Sequence, residues 1–477
     1  MIGRLEILDF SREFGLAPNI VEKDYLLGWI LAGISNHGEL GSDWVFKGGT
    51  CLKKCYFETY RFSEDLDFTI RKQDHCNQEF LAAAFKEIAD WIYEKSGIEI
   101  PRDLVHFEIY TNPRGKISAQ GRISYRGPLL PRGDLPRVKL DLTNDEILVL
   151  NTISREVHHP YSDRPEEGIH FLCYCFEELF AEKVRALAER LRPRDLYDVI
   201  HLFRHNDLTQ DRALVRNTLE QKCKFKNIFI PTMEMLEKKP ERAELEAEWE
   251  NMLGYQLPVL PPFEQFWIEL PAVFEWLYGA VEKVMPSRMP LMGMLVDEAW
   301  HPPAMPRAWH GTAPLEVIRF AAANRLCVDL TYNGSHRLIE PYSLRRTRDG
   351  NLLLYAVKHN TGEDRSYRVD RIQGANVTKV PFKPRYAVEL TASGPISAPP
   401  TFRGPTELAI SKPTRKSMTP RRTRKSTTSF GPKYIFKCAL CGRKFIHKSY
   451  EASLNEHKNK KGYPCTGRFG IYITTKY

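Results

Sequence analysis

The stretch "VFKGGTCLKKCYFETYRFSEDLDFTI", Val45–Ile70, decides how the chain is read. Two glycines and a threonine precede a helix-like run, and 14 residues separate Thr50 from a pair of aspartates spaced one residue apart. In an extended strand alternate side chains share a face, so Asp65 and Asp67 project together while Leu66 and Phe68 point to the core. Carboxylates held so close repel unless a divalent cation lies between them. Mg²⁺, a hard ion bound by one or two carboxylates plus substrate phosphates, fits that role. The Gly48-Gly49-Thr50 turn supplies the other half. Without Cβ atoms its backbone N–H groups can approach a phosphate, and the following helix turns its positive end to the same anion. Alone, a Gly-Gly turn or an Asp-x-Asp strand is a weak signal.

A second strand-like segment, "RVKLDLT" (137–143), places Val138, Leu140 and Leu142 on one face and Lys139, Asp141 and Thr143 on the other. Asp141 completes a metal triad with Asp65 and Asp67 if the two strands are neighbours. Farther on, "FEELFAEKVRALAERLRPRDLYDVIHLF" (176–203) reads as two helices divided at Pro193. Lys183 lies on the first, and Asp195 and Asp198, at i and i+3, share a face of the second. A solvated helical hairpin would explain those charges singly, but not their company.

Outward from this core the chain is modular. Its 477 residues exceed one ordinary domain, and its 42% apolar and 27% charged composition suits a water-soluble protein. The start lacks the apolar core of a signal peptide and no uncharged run approaches a membrane span, so a cytoplasmic protein with no membrane partner is expected. Residues 1–170 read as a mixed α/β core and 171–285 as a mostly helical continuation. Residues 286–311 form a connector, 312–392 a β-rich module, 393–433 a basic flexible linker and 434–477 a small end piece. The formal charge of +9 is concentrated at the end: Ser411–Lys437 holds nine Lys or Arg and no acid, and Cys438–Tyr477 holds eight basic and two acidic residues. That segregation favours a polyanionic partner, with Arg421, Arg422, Arg424 and Lys425 in the linker as candidate contacts. A linker with no partner is the plainer alternative. Seven of the ten cysteines are scattered among apolar neighbours and read as reduced core thiols.

With these residues in view, "VEKDYLLGWIL", "VFKGGTCLKKCYFETYRFSEDLDFTI", "LFAEKVRALAER" and "RPRDLYDVIHLF" resemble, in order, the signature blocks of the AbiEii-type abortive-infection nucleotidyltransferase toxins, over roughly residues 15–285. The resemblance implies a nucleotidyltransferase core: a small mixed sheet with helices. It implies a metal on Asp65 and Asp67, triphosphate contacts from Gly48, Gly49, Thr50 and Lys183, and an acidic role for Asp195 or Asp198. The long gap from Thr50 to Asp65 predicts a lengthened helix. The implied reaction is Mg²⁺-dependent transfer of NMP from an NTP to a hydroxyl of an RNA, tRNA foremost, by a toxin or phage-defence effector that has a cognate antitoxin. A phosphotransferase or protein-modifying enzyme at the same site, and a nucleic-acid-binding regulator on a non-catalytic transferase fold, are the alternatives.

"VIRFAAANRLCVDLTY", "RLIEPYSL", "GNLLLYAVKHN" and "RSYRVDRIQGANVT" resemble a WYL domain, which implies a small SH3-like barrel, with Leu352-Leu353-Leu354 at the eponymous Trp-Tyr-Leu position. The resemblance offers Arg368 and Arg371 as contacts to a nucleotide or nucleic acid; a barrel with salt-bridged arginines is the structural reading. At the end, Cys438-x2-Cys441, a helical run to His457, and Cys465 give four soft ligands for a structural Zn²⁺, with His447 the rival fourth. A piece this short lacks the core to fold without metal. The surrounding basic residues favour DNA or RNA.

Overall fold

In the strand Arg137–Thr143 the alternation works as read: Val138, Leu140 and Leu142 are buried while Lys139, Asp141 and Thr143 are half-buried on the opposite face. The structure is a computed structural model that describes residues 1–57, 60–130, 133–205, 211–279, 286–290, 296–297 and 315–390. Nearer the C-terminus it describes 433–438, 440–441, 444–447, 452–454, 457–458, 464–465 and 470–476. The chain divides into two compact units, Met1–Phe402 and Arg403–Tyr477. Arg421, Arg422, Arg424 and Lys425, with nearly all of the expected linker and connector, lie outside the described residues.

The first unit is built on a seven-stranded mixed sheet. Its strands are β1 (Trp44–Lys47), β2 (Asp65–Ile70), β3 (Val105–Thr111), β4 (Ile117–Ser124), β5 (Arg137–Thr143), β6 (Ile153–Glu156) and β7 (His170–Cys173), in the order β3-β4-β5-β2-β1-β7-β6. At its centre β1 runs antiparallel to β2, and β2 runs parallel to β5. Around it lie α1 (Arg4–Phe14), α2 (Pro18–Asn36), α3 (Gln78–Ser96), α4 (Phe176–Arg190), α5 (Pro193–Arg204), α6 (Arg212–Lys226) and α7 (Leu270–Tyr278). Local chemistry sets the boundaries. Asn77 caps α3 by accepting from the N–H groups of Glu79 and Phe80, and Gly97 closes it at φ 74°. Leu191 at φ 44° ends α4, and Pro193 opens α5 in the first turn, where a missing N–H is harmless. No helix among the described residues is long and apolar enough to cross a membrane.

The polar residues of the "VEKDYLL" block are ties, not surface. Asp24 on α2 is buried and accepts from Lys54 Nζ at 2.7 Å and Tyr161 OH at 3.0 Å. Lys23 pairs with Glu64 at 2.6 Å, and Glu22 accepts from the Leu129 N–H at 2.6 Å. Helix α2 thereby anchors both ends of the segment between Thr50 and Asp65. That segment is not simply the lengthened helix expected: the turn Gly48–Cys51 runs on as a π-helix, Leu52–Tyr56, and Tyr60–Glu64 then passes in a non-helical path.

The β-rich module is a five-stranded antiparallel sheet: β8 (Leu326–Tyr332), β9 (Ser335–Arg346), β10 (Leu352–Lys358), β11 (Asp364–Arg368) and β12 (Ile372–Pro381), in the order β11-β10-β9-β8-β12. The turn signals fall where expected, with Asn333 and Gly334 both at positive φ in the two-residue β8–β9 hairpin. The expected closed barrel is not found: among the described residues no ladder joins β11 to β12. The sheet curls instead, bringing Tyr332 of β8 onto Tyr367 of β11 with ring centroids 5.1 Å apart, while the Arg368 N–H donates to Tyr332 OH. Helix α8 (Leu315–Ala323) covers this sheet, and its end reaches the transferase helices. Asn324 Oδ1 accepts from Tyr197 OH at 3.0 Å and lies 3.2 Å from His201 Nε2, both on α5. Arg325 and Arg204 share Glu269, each at 2.7 Å. The module is thus wired to the helix that carries Asp195 and Asp198.

The second unit holds a three-stranded sheet of β13 (Lys433–Cys438), β14 (Lys444–His447) and β17 (Gly470–Lys476), with the short pair β15 (His457–Lys458) and β16 (Pro464–Cys465). The helical run expected to lead to His457 is absent among the described residues. Ala452–Leu454 is not helical and His457 opens a strand paired with Cys465.

Candidate active site

Register brings the three aspartates to one place. Asp67 lies opposite Asp141 across the parallel β2–β5 ladder, and Asp65 lies opposite Lys139. These side chains form one wall of a cleft of about 460 Å³ whose other lining includes Gly49, Arg61, Ser63, Lys183, Arg190, Arg192, Arg194 and Asp195. One wall is acidic, the other cationic. Burial raises the Asp67 carboxyl to about 6, with Asp141 and Asp65 adding to the rise and Lys47 and Lys183 opposing it. Asp65 is also raised, first by burial, with Lys139 opposing. Asp141 is engaged, accepting from Lys139 Nζ at 2.7 Å and Gln120 Nε2 at 3.1 Å. Among the described residues the clusters of three or more ligating atoms within 4.8 Å of one another are made of cysteine and histidine, so the three carboxylates converge less tightly than those.

The two glycines make room for side chains of the site itself. Gly48 has φ 80°, and a Cβ there would stand 2.2 Å from Asp67 Oδ2. A Cβ on Gly49 would stand 2.4 Å from Arg61 Nη2. Gly48→Ala is therefore expected to destabilise the protein by at least about 1–2 kcal/mol from the left-handed backbone alone, checked by urea titration against wild type. An unchanged midpoint would refute the close approach. The buried Thr50 hydroxyl donates to the Asp65 carbonyl and fastens the turn to β2.

Lys183 is held between the two acids of α5, 2.7 Å from Asp198 Oδ2 and 3.5 Å from Asp195 Oδ1. The acids have different surroundings. Asp198 is fully buried and accepts from Arg61 Nε and Nη2, each at 2.7 Å, and from Tyr60 OH at 2.6 Å. Burial alone would raise its carboxyl, but Arg61 and Lys183 hold it well below the usual range. Asp195 lines the cleft and accepts from Arg190 Nε at 2.6 Å and Nη2 at 2.9 Å. There too burial is outweighed, by Lys183 and Arg190, and the carboxyl is lowered.

Sequence reasoning missed Tyr60, Arg61, Lys47, Arg190, Arg192 and Arg194. The basic cluster "RLRPR" (190–194) was visible, but a charged interhelical turn ordinarily faces water. Lys47, at the end of β1, pairs with Glu182 at 3.3 Å and borders a second cavity of about 490 Å³ that shares Asp67 and Arg190 with the cleft.

In the β module Arg368 is tied to Asp370 at 2.7 Å and to Asn351 Oδ1 at 2.9 Å, and Arg371 is exposed. Leu353 and Leu354 are buried core. In the second unit Cys438, Cys441, His457 and Cys465 bring their ligand atoms within 4.8 Å of one another. Cys441 Sγ is 3.3 Å from His457 Nε2, and Cys438 Sγ is 3.9 Å from Cys465 Sγ. His447 instead sets its ring edge-on to Phe436.

The family model described as nucleotidyl transferase AbiEii toxin, type IV toxin–antitoxin system, matches residues 29–277, and the WYL domain model matches residues 314–377. Solved structures similar to part of the chain include MenT4, a nucleotidyltransferase toxin from Mycobacterium tuberculosis, at 18% identity and TM-score 0.42 over 59% of this chain and 91% of that one. JHP933 from Helicobacter pylori is similar at 18% identity and TM-score 0.35, over 55% of this chain and 93% of that one. A search among curated proteins found no match.

Proposed function

We propose, from the premise that this chain belongs to the AbiEii nucleotidyltransferase toxin family of type IV toxin–antitoxin systems, that it transfers NMP from an NTP to a hydroxyl of an RNA, with tRNA the foremost acceptor. The observation that carries the reading is the cleft with Asp65, Asp67 and Asp141 on one wall and Lys183, Arg190, Arg192 and Arg194 on the other.

A divalent cation fits the acidic wall on the chemistry of its donors. They are oxygen only, and the Asp67 carboxyl, raised by burial and by the neighbouring Asp141 and Asp65, is one whose charged form a cation would favour. Asp65 and Asp67 would hold Mg²⁺, with Asp141 as third carboxylate. When bound, the ion supplies charge neutralisation at the attacking and leaving oxygens. The protein's share is positioning. Arg190, Arg192, Arg194 and Lys183 neutralise the triphosphate, Arg being suited to bidentate phosphate contact. Gly48 and Gly49 let the backbone turn pass close to Asp67 and Arg61, where its N–H groups can meet phosphate. The acceptor hydroxyl attacks the α-phosphorus and pyrophosphate leaves, in a reaction catalysed chiefly by orientation and charge.

In the same reading Cys438, Cys441, His457 and Cys465 would hold Zn²⁺, a thiolate-rich set suited to a structural site, and the ion would supply the stability that the small unit needs to fold. That unit and the basic segment with Arg421, Arg422, Arg424 and Lys425 bring the enzyme to nucleic acid. Arg371 is the more available of the two WYL arginines, since Arg368 is spent on Asp370 and Asn351. A cognate antitoxin protein is the expected partner.

The test is transfer of α-³²P from each NTP, with Mg²⁺, to total RNA or purified tRNA. Wild type is expected to label RNA and Asp65→Ala/Asp67→Ala to label none. Label from the γ-phosphate instead would replace the reading with phosphotransfer. No RNA label in the presence of Mg²⁺-dependent NTP binding would sink RNA as acceptor.

A further inference from the structure

One residue past Thr50 the same helical segment carries Cys51, and one turn later Cys55, at i and i+4 on one face. Strand β7 ends at Cys173, whose Cα pairs with Phe46 of β1. The three sulfurs meet within 4.8 Å of one another in the core of the first unit. Cys51 and Cys173 have no solvent exposure and Cys55 has 6%. All three are free thiols in the structure.

We propose that Cys51, Cys55 and Cys173 form a buried three-thiolate site for a thiophilic d¹⁰ ion, Zn²⁺ or Cu⁺, that clasps the glycine turn to β7. The spacing suits it: thiolates at about 2.3 Å from one ion stand about 4 Å apart. The donor set is sulfur only, which selects soft ions over the hard cation assigned to the carboxylates. Charge also balances. Three thiolates and a divalent ion leave one negative charge in the core, which requires compensation. Arg155 provides it, donating from Nε to the Cys55 carbonyl at 2.7 Å with its guanidinium 4.3 Å from the Tyr56 ring centroid. For Cu⁺ one sulfur stays protonated and the same balance holds.

The position gives the site its purpose. The turn Gly48–Cys51 borders the acidic wall, and three residues beyond Cys173 α4 begins, the helix bearing Lys183 of the cationic wall. An ion between them fixes the spacing of the two walls from beneath. This inference is independent of the reaction and of the metal on the aspartates.

The experiment is elemental analysis of zinc and copper per chain in the purified full-length protein, with two sets of variants. Cys441→Ser/Cys465→Ser disables the C-terminal ligands and leaves the core untouched; it is expected to retain one equivalent of zinc or copper, and the element found decides between the two ions. Cys173→Ser and Cys51→Ser/Cys55→Ser are expected to lose that equivalent and keep the C-terminal one. Should the core variants fail to fold, intact mass of Cys441→Ser/Cys465→Ser under non-denaturing conditions still reads the ion directly. A metal-free Cys441→Ser/Cys465→Ser chain overturns the proposal. In that case alkylation of the denatured, unreduced chain shows either reduced packed thiols, all alkylated, or a disulfide, with two alkyl groups missing.

Discussion

Asp67→Asn is expected to lose nucleotidyl transfer by at least about 10³-fold, since the lost ligand removes several kcal/mol of charge stabilisation at the reacting phosphate, and yet to make the Mg²⁺-free protein more stable. The sign follows from the shift. Burial raises the carboxyl from the ordinary 3.8 to about 6, so between those values the folded state binds the proton that the unfolded chain has released. Stability of the Mg²⁺-free protein therefore falls as pH rises through that window and levels off above it, by on the order of 3 kcal/mol. Asparagine is neutral at every pH and escapes that loss. Urea titrations without Mg²⁺ should give similar midpoints for wild type and variant near pH 4, and a higher midpoint for the variant at pH 7.5. Added Mg²⁺ should then raise the midpoint of wild type alone. A variant no more stable than wild type at pH 7.5 would mean that the Asp67 carboxylate is not penalised in the fold, and the argument for a cation there would lose its support.

The parts of the site legible in sequence are those written in a two-residue or helical period. Asp65 and Asp67 alternate with buried Leu66 and Phe68, and Asp141 alternates with Leu140 and Leu142, so one face of each strand could be read at once. That the two strands would be neighbours was a conditional step, and the parallel register Asp67↔Asp141 satisfies it. What could not be read depends on contacts between distant segments. Arg61 meets Asp198 across 137 residues and Gln256 across 195. No local pattern marks an arginine in a polar stretch as the buried floor of a cleft. The glycines illustrate the same limit. Their missing Cβ atoms were read as letting backbone N–H groups approach a phosphate, and only the fold shows that Asp67 and Arg61 are the side chains a Cβ would meet there. In the β module the turns were written in Asn-Gly and Asp-Gly pairs, but whether the sheet closes depends on how far it curls.

Asp198→Ala is expected to be the most destabilising single change near the cleft, and Asp195→Ala to separate stability from catalysis. Asp198 has no exposure and satisfies three cationic or phenolic partners, Arg61, Lys183 and Tyr60. Removing its carboxylate leaves Arg61 buried without its counter-ion and Lys183 with only the longer contact to Asp195, a loss of about 3–5 kcal/mol. The midpoint of urea unfolding should fall accordingly and soluble yield with it. Asp195 differs in its neighbours: the Arg190 side chain is 55% exposed and can turn to water when the acid is gone, while Lys183 keeps Asp198 at 2.7 Å. Asp195→Ala should therefore fold, with a smaller stability loss of about 1–2 kcal/mol, and lose transfer rate because Arg190 is no longer aligned along the cationic wall. The decisive readout is the pair of measurements together, urea midpoint and kcat/KM for labelled-nucleotide transfer. If Asp198→Ala folded normally and lost only activity, the buried Arg61–Asp198–Lys183 network would not be the support of the cleft, and the acidic role that the resemblance offers to Asp195 or Asp198 would fall to Asp198.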